Sequence, residues 1–153
     1  MDICYWDANC FLGWLNGEAD KVAGCRAVLD EASAGRVLIV TSALTLTEVI
    51  KLKGETRLPK EKEETIAEFF KNEYIAVRNV DRYVAEDARQ LLWTYESLWP
   101  KDSIHVATAI RFHISVLHTF DDGLLKLNGQ LGTPPLRIEH PGESAPLRLP
   151  FDA

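Results

Sequence analysis

The sequence predicts an α/β protein in which helices flank a central parallel sheet of about four to five strands. Short runs rich in apolar and β-branched residues occur at residues 3–6, 37–41 and 114–118, as expected for strands covered on both faces. The segments between them place apolar residues at helical spacing. Because strands that alternate with helices pair in parallel, a ligand site is expected at the carboxyl edge of the sheet.

The first strand, at residues 3–6, is a short apolar run that ends at Asp7. Asn9 is a suitable cap for the next helix, whose apolar positions continue until Gly17 interrupts them. A second helix fits residues 18–34, where apolar residues recur every three or four positions before a glycine.

The second strand, at residues 37–41, is apolar on both faces and is expected at the centre of the sheet. The helix after it begins near Ser42, and its apolar positions extend to Gly54. Pro59 is typical of a helix start and opens an amphipathic helix. The third strand covers residues 74–80.

Asp81 is expected to cap a long helix that extends to about Trp99. A helix rich in small residues then begins at Asp102 and leads to the fourth strand at residues 114–118. A short helix over residues 124–128 follows this strand.

The chain is expected to form a single domain over residues 1–153, because its length suits one sizeable core. Residues 1–128 form the predicted core. Residues 129–153 form a C-terminal extension that holds five of the seven prolines. This extension is expected to wrap the surface, with one more short strand near residues 136–140.

The composition of the chain limits where the protein can be located and which partners it can bind. The three cysteines (Cys4, Cys10 and Cys25) lack metal-site spacing and lie in or near apolar runs, so we expect reduced, buried thiols without a disulfide or zinc. The sequence lacks a secretory signal pattern and a membrane-length apolar stretch, which predicts a soluble, cytoplasmic protein with no membrane partner. The net charge of −6 is unfavourable for binding nucleic acid.

Four carboxylates are the candidate chemical groups. Asp7 and Asp121 each follow a predicted strand, so they are expected to be neighbours at the carboxyl edge. Asp102 lies at a helix start, and Glu48 interrupts an apolar helical stretch, where it needs a cationic partner. A divalent cation would relieve their mutual repulsion, and all-oxygen ligands favour Mg²⁺ or Mn²⁺. Such a site suits phosphodiester hydrolysis.

Each carboxylate also has an ordinary structural interpretation. Asp7 and Asp102 suit helix caps, and Asp121 suits a turn with Asp122 and the glycine after it. Glu48 suits a structural ion pair, although the neighbouring sequence offers no obvious partner. The convergence of all four at one sheet edge is the argument for a site.

Four blocks occur in one order along the chain: YWDANCFLGWL, TSALTLTEVI, PKDSIHVATAI and LHTFDDGL. Together they resemble the PIN domain family, whose pattern has an Asp after a first strand, a helix ending in Glu, an Asp-centred helix and a final Thr-x-Asp. The resemblance implies a Rossmann-like PIN fold and a metal-dependent endoribonuclease, as in the VapC toxins of type II toxin–antitoxin pairs. Ser103, where Ala is more usual, and the long proline-rich tail depart from the pattern.

The resemblance also implies roles for particular residues and partners. Catalytic and metal-ligating roles would fall on Asp7, Glu48, Asp102 and Asp121, and supporting polar roles on Asn9 and Thr119. Asp122 ranks below Asp121, because adjacent residues at a strand end point apart. The implied partners are an RNA substrate, an antitoxin protein and a second copy of the chain, with apolar residues of the early helices as the dimer interface.

The cluster around Lys51, Lys53 and Arg57 offers RNA phosphates a local basic patch, although an ordinary solvated face fits it as well. The histidines at positions 105, 113 and 118 are assigned no catalytic role. Trp93, Tyr95 and Trp99 suit base stacking but favour core or dimer packing.

Two other functions compete with the ribonuclease. A catalytically inactive PIN-like module that binds RNA or protein would keep the fold, yet would not need four repelling carboxylates. A Mg²⁺-dependent phosphatase or phosphoacceptor domain would need an Asp nucleophile and a late lysine, whereas Asp7 is followed by Ala8 and Asn9.

Overall fold

The structure, a computed structural model, describes residues 1–50 and 59–143. Their sheet has five strands, all pairing in parallel, in the order β3-β2-β1-β4-β5. The strands are β1 (Asp2–Trp6), β2 (Val37–Ser42), β3 (Ile75–Arg78), β4 (Val116–His118) and β5 (Arg137–Glu139). The predicted α/β architecture, a parallel sheet flanked by helices, is confirmed.

Seven helices connect or follow these strands in the described residues. They are α1 (Ala8–Leu15), α2 (Val22–Ser33), α3 (Ala43–Glu48), α4 (Lys60–Phe69), α5 (Arg82–Thr94), α6 (Pro100–Arg111) and α7 (Asp122–Leu125). Each predicted helix is present, but several limits differ from those predicted. The helix after β2 ends at Glu48 because Val49 leaves helical geometry, with φ −94° and ψ 61°.

Two other helix limits were predicted wrongly. The helix from Asp81 ends at Thr94 rather than near Trp99, because Tyr95 adopts an extended conformation, with φ −121° and ψ 94°. The next helix begins at Pro100 rather than at Asp102. Proline suits the first helical turn, where a backbone N–H has no helical acceptor.

The cap of α1 is Asp7, and the predicted cap at Asn9 is therefore wrong. The Cys10 backbone N–H donates to Asp7 Oδ1 at 3.2 Å, which satisfies one of the free donors at the helix start. Asn9 already lies inside the helix. Asp81 does cap its helix, as predicted, by accepting from the Val84 N–H at 2.9 Å.

The core lies on both faces of the sheet, as the alternation of side chains along β1 requires. Trp6 packs into the cluster that includes residues of α1 and α2, whereas Tyr5 packs into the cluster with residues of α6 and α7. Both side chains are fully buried. An aromatic side chain buries about 150–250 Å², so each contributes roughly 4–6 kcal/mol at about 25 cal/mol per Å².

Cys4, Cys10 and Cys25 are all buried and free, as predicted. Burial raises the pKa of Cys4 and of Cys25 to about 12. These thiols therefore act as small apolar side chains at neutral pH.

The region after residue 128 contributes to the sheet. The predicted short strand is present as β5, which pairs with β4 at the sheet edge. Leu131, Leu136 and Ile138 are buried in the core, so this part packs against the domain up to the last described residues. In residues 1–50 and 59–143, no helix combines the length and the apolar character that a membrane crossing needs.

Candidate functional site

The carboxyl ends of β1 and β4 lie side by side, because these strands are neighbours although the chain visits β2 and β3 between them. This reversal of strand order is where ligand crevices form in open parallel sheets. Asp7 directly follows β1, and Asp121 lies three residues beyond β4. The structure thus places these two predicted site residues at the same edge of the sheet.

Thr119 joins the two strand ends. Its hydroxyl donates to Asp7 Oδ2 at 2.5 Å and accepts from the Asp121 backbone N–H at 3.0 Å. Thr119 is fully buried, and its own N–H donates to the Glu139 carbonyl on β5 at 3.1 Å. This residue therefore fixes the Asp7 carboxylate and the turn that carries Asp121.

Asp121 also caps α7, by accepting from the Gly123 N–H at 2.8 Å. The structural interpretations of Asp7 as a cap and of Asp121 as a turn residue are therefore correct. These structural roles are compatible with cation binding, since each carboxylate keeps oxygen lone pairs that its single cap bond does not use.

Asp102 lies in the first turn of α6 and is 7% exposed. It does not cap this helix, whose N-cap is Trp99. The structure shows no hydrogen bond to its carboxylate within residues 1–50 and 59–143. Burial, together with the negative charges of Asp121 and Asp7, raises the pKa of Asp102 to about 6, and Lys101 opposes this rise.

Glu48, at the end of α3, meets His105 from α6. The His105 Nε2 and Glu48 Oε1 atoms are 2.8 Å apart, and the side chains are 1% and 20% exposed, respectively. The partner of Glu48 is thus a histidine, which is cationic only when protonated, and not a lysine or arginine. It lies 57 residues away in the chain, which explains why the neighbouring sequence did not reveal it.

Asp7 is electrostatically coupled to other groups at this edge. Burial raises its pKa, and the charge of Glu48 adds to the rise, whereas His105, Thr119 and the Cys10 N–H oppose it. Because Asp102 also responds to Asp7 and Asp121, the charges of all four predicted carboxylates are linked. The excess negative charge is what a cation would offset.

A sequence model described as "PIN domain" matches residues 4–130 of this chain. The chain belongs to the PIN domain family. Members of this family are in general nucleases that use divalent metal ions. The matched segment contains Asp7, Glu48, Asp102 and Asp121, together with most of β1 and the whole of β2, β3 and β4.

One solved structure similar to this PIN domain is described as a toxin–antitoxin complex from Klebsiella pneumoniae. Its TM-score is 0.55 and its sequence identity 21%, and the alignment covers 77% of this chain and 86% of that one. At this identity, the likeness establishes a shared fold. No curated protein matches the sequence of this PIN domain.

The donor chemistry of the PIN domain's acidic edge fits a hard divalent cation, since all four candidate side chains offer carboxylate oxygens. The buried carboxylate of Asp102, without a hydrogen-bond partner in the described residues, is the strongest indication. As they stand, no three acidic, histidine or cysteine side chains in residues 1–50 and 59–143 converge closely enough to hold an ion.

The supporting residues of the sequence analysis differ in their placement. Thr119 contacts both strand ends, as described above. Asn9 is half-buried in the first turn of α1, and Asp122 is exposed in the first turn of α7. The predicted basic patch of Lys51, Lys53 and Arg57 lies outside the described residues.

His105 and Tyr5 are the residues of this site that the sequence analysis missed. The Tyr5 hydroxyl and His105 Nδ1 are 2.6 Å apart, and both side chains are buried. Two periodicities could have found them: Tyr5 shares a strand face with Asp7, and His105 follows Asp102 by one helical turn. His118 instead accepts from Trp6 Nε1 at 3.0 Å, and burial lowers its pKa to about 4, so it is an uncharged structural residue at neutral pH.

Proposed function

We propose that this PIN domain is a Mg²⁺- or Mn²⁺-dependent endoribonuclease and the toxin component of a type II toxin–antitoxin pair. The observation that carries the proposal is the buried carboxylate of Asp102, which lacks a hydrogen-bond partner in the described residues and faces the charges of Asp7 and Asp121. An uncompensated buried carboxylate is costly unless a cation meets it.

In this proposal, Asp7, Glu48, Asp102 and Asp121 hold the ion. When bound, Mg²⁺ or Mn²⁺ supplies positive charge that activates a water molecule and offsets the charge of the phosphodiester. The protein's own contribution is to orient the carboxylates before RNA arrives. Thr119 and the Cys10 N–H hold the two oxygens of Asp7, so this carboxylate cannot rotate freely.

The remaining groups at this edge would help to bind RNA. Lys101 is exposed and acts electrostatically on Asp102, so it is well placed to contact a phosphate beside the acidic residues. Asn9 and Asp122 would add polar contacts from the first turns of their helices. Lys51, Lys53 and Arg57 remain proposed phosphate contacts.

The proposed partners and location follow from family membership and from the similar toxin–antitoxin structure. An antitoxin would inhibit the enzyme, and two copies of the chain would form a homodimer. In the described residues, the large apolar side chains with the greatest exposure after Met1 are those of Trp93 and Trp99. We therefore place the dimer interface near the end of α5 rather than on the early helices. Three buried free thiols suit the reducing cytoplasm.

A catalytically inactive PIN-like module that binds RNA or protein is the second candidate. It is favoured by the lack of three converging ligands in residues 1–50 and 59–143. The two functions differ in what they require of Asp102. Removal of this carboxylate would abolish the activity of an enzyme, whereas a binding module has no need of it.

Purified protein, free of antitoxin, would be incubated with a pool of single-stranded and structured RNA, with Mg²⁺, Mn²⁺ or EDTA. The Asp7→Asn and Asp102→Asn variants would be compared with Asp30→Asn, which changes an exposed residue on α2. We expect cleavage that requires metal, survives in Asp30→Asn and is lost in the two site variants. Absence of cleavage by folded protein, or cleavage that persists in both site variants, would overturn the proposed function.

A further inference from the structure

A chain of three side chains from three elements, two of them buried, extends from the core to the acidic edge. Tyr5 from β1 meets His105 Nδ1 at 2.6 Å, and His105 Nε2 meets Glu48 Oε1 at 2.8 Å. Tyr5 is 0% exposed and His105 is 1% exposed, so the contact between them is shielded from water, whereas Glu48 is 20% exposed. Each contact joins residues at least 57 positions apart in the sequence.

The chemistry of the three groups determines which atoms carry hydrogen. An ionised carboxylate only accepts hydrogen bonds, so the contact with Glu48 requires a hydrogen on His105 Nε2. In a neutral imidazole, Nδ1 is then the acceptor, and the Tyr5 hydroxyl donates to it. The hydroxyl therefore selects the tautomer that donates to Glu48.

The backbone gives Glu48 little support of its own. It is the last residue of a six-residue helix, and Val49 already leaves helical geometry. The start of this helix is well anchored: the Thr41 hydroxyl contacts the Trp6 carbonyl and the Thr45 hydroxyl, each at 2.7 Å. At the end of the helix, the contact that orients the carboxylate is the one with His105.

We infer that His105, anchored by Tyr5, is a positioning residue that holds one oxygen of Glu48 and leaves the other directed to the acidic edge. The inference rests on the proposed function, which makes Glu48 a metal ligand. His105 follows Asp102 by three residues on α6, so the two share a helix face. A single helix thus supplies one carboxylate directly and orients a second through its histidine.

Such outer contacts orient ligating carboxylates, and their loss commonly lowers metal affinity by about 10–100-fold. We expect this loss of Mn²⁺ affinity in His105→Ala. His105→Gln should recover part of it, because a glutamine amide can donate to Glu48. Tyr5→Phe should lower Mn²⁺ affinity by about 10-fold or less, because it leaves the imidazole in place and removes only the tautomer selection. Tyr83→Phe, at an exposed tyrosine, is the matched control.

Two readouts that do not depend on RNA cleavage test this inference. A long-range ¹H–¹⁵N spectrum of the metal-free wild type should show hydrogen on His105 Nε2, and a bare Nε2 would overturn the inference. Mn²⁺ titrations by electron paramagnetic resonance should rank affinity as wild type and Tyr83→Phe, then His105→Gln, then His105→Ala. Circular dichroism would identify variants that are unfolded. If the His105 variants are unfolded, the Mn²⁺ affinity of Tyr5→Phe decides the test.

The outcome also separates this inference from the proposed function. If Asp102→Asn abolishes Mn²⁺ binding while the folded His105 and Tyr5 variants bind normally, the metal site stands and the role of His105 is refuted. If the wild type binds no Mn²⁺, the proposed function itself fails. A uniform loss of thermal stability without a change in Mn²⁺ affinity would show a purely structural role and would overturn the inference.

Discussion

Replacing Asp102 with asparagine should stabilise the metal-free protein while removing its activity. The carboxylate is buried, lacks a hydrogen-bond partner in the described residues and is repelled by Asp121 and Asp7. Asparagine has nearly the same shape and no charge, so it removes the repulsion without leaving a cavity. The same change removes a proposed metal ligand, so stability and activity should move in opposite directions.

The size of the effect follows from the pKa of Asp102, which is raised from 3.8 to about 6. A shift of about 2 units corresponds to at most about 3 kcal/mol, at 1.36 kcal/mol per unit. Because the native state holds this proton more tightly than the unfolded state, wild-type stability falls as pH rises through that window. We expect Asp102→Asn to gain about 1–3 kcal/mol at pH 7.5, or roughly 3–8 °C in Tm.

The assay is thermal unfolding in EDTA at pH 7.5 and at pH 4.5, followed by circular dichroism. At pH 4.5 Asp102 is largely protonated in the native state but still mostly ionised in the unfolded state, so the advantage of the variant should fall to about a third of its value at pH 7.5. Asp30→Asn controls for the loss of one surface charge. A variant less stable than the wild type at pH 7.5, or a difference that is the same at both pH values, would refute the electrostatic argument.

Three further outcomes are expected. Thr119→Val should cost about 1–3 kcal/mol in urea unfolding, since it removes the donor to Oδ2 of the buried Asp7 carboxylate; a stability equal to that of Thr94→Val, at an exposed helical site, would contradict this. Mn²⁺ should raise the wild-type Tm but not that of Asp102→Asn, and an equal rise in both would count against the site. Trp93→Ala should weaken self-association by about 30-fold or more in sedimentation experiments, and an unchanged mass distribution would reject this interface.

Much of the fold was predictable because it depends on local patterns. The apolar runs of β1 and β2 are long enough to identify buried strands, and glycine or proline marks several helix limits, such as the end of α2 and the start of α4. Where two residues could serve one local role, the prediction failed. Both Asp7 and Asn9 suit a helix cap, and only the structure shows the Cys10 N–H bonded to Asp7.

The end of the helix from Asp81 was predicted wrongly for a different reason. Residues up to Trp99 keep a helical pattern, yet Tyr95 turns out of the helix, and its hydroxyl donates to the Gln130 carbonyl at 3.0 Å. That contact spans 35 residues, so no local pattern reports it. A tertiary interaction here overrides local helix propensity.

In the candidate site, too, some features follow from local sequence patterns and others depend on contacts between distant segments. The edge positions of Asp7 and Asp121 follow from strand ends alone, whereas the contacts of His105 join segments 57 and 100 residues apart. A histidine on a helix looks ordinary in the sequence. Its importance emerges only when β1, α3 and α6 are brought together.

We propose that four carboxylates from separate segments of the chain make one cation site. Direct titration of the metal-free protein with Mn²⁺ at pH 7.5, followed by electron paramagnetic resonance, tests it most directly. We expect saturable binding in the wild type and in Asp30→Asn, and loss of that binding in Asp7→Asn and Asp102→Asn. No saturable binding by the folded wild type, or equal binding by all four proteins, would contradict it.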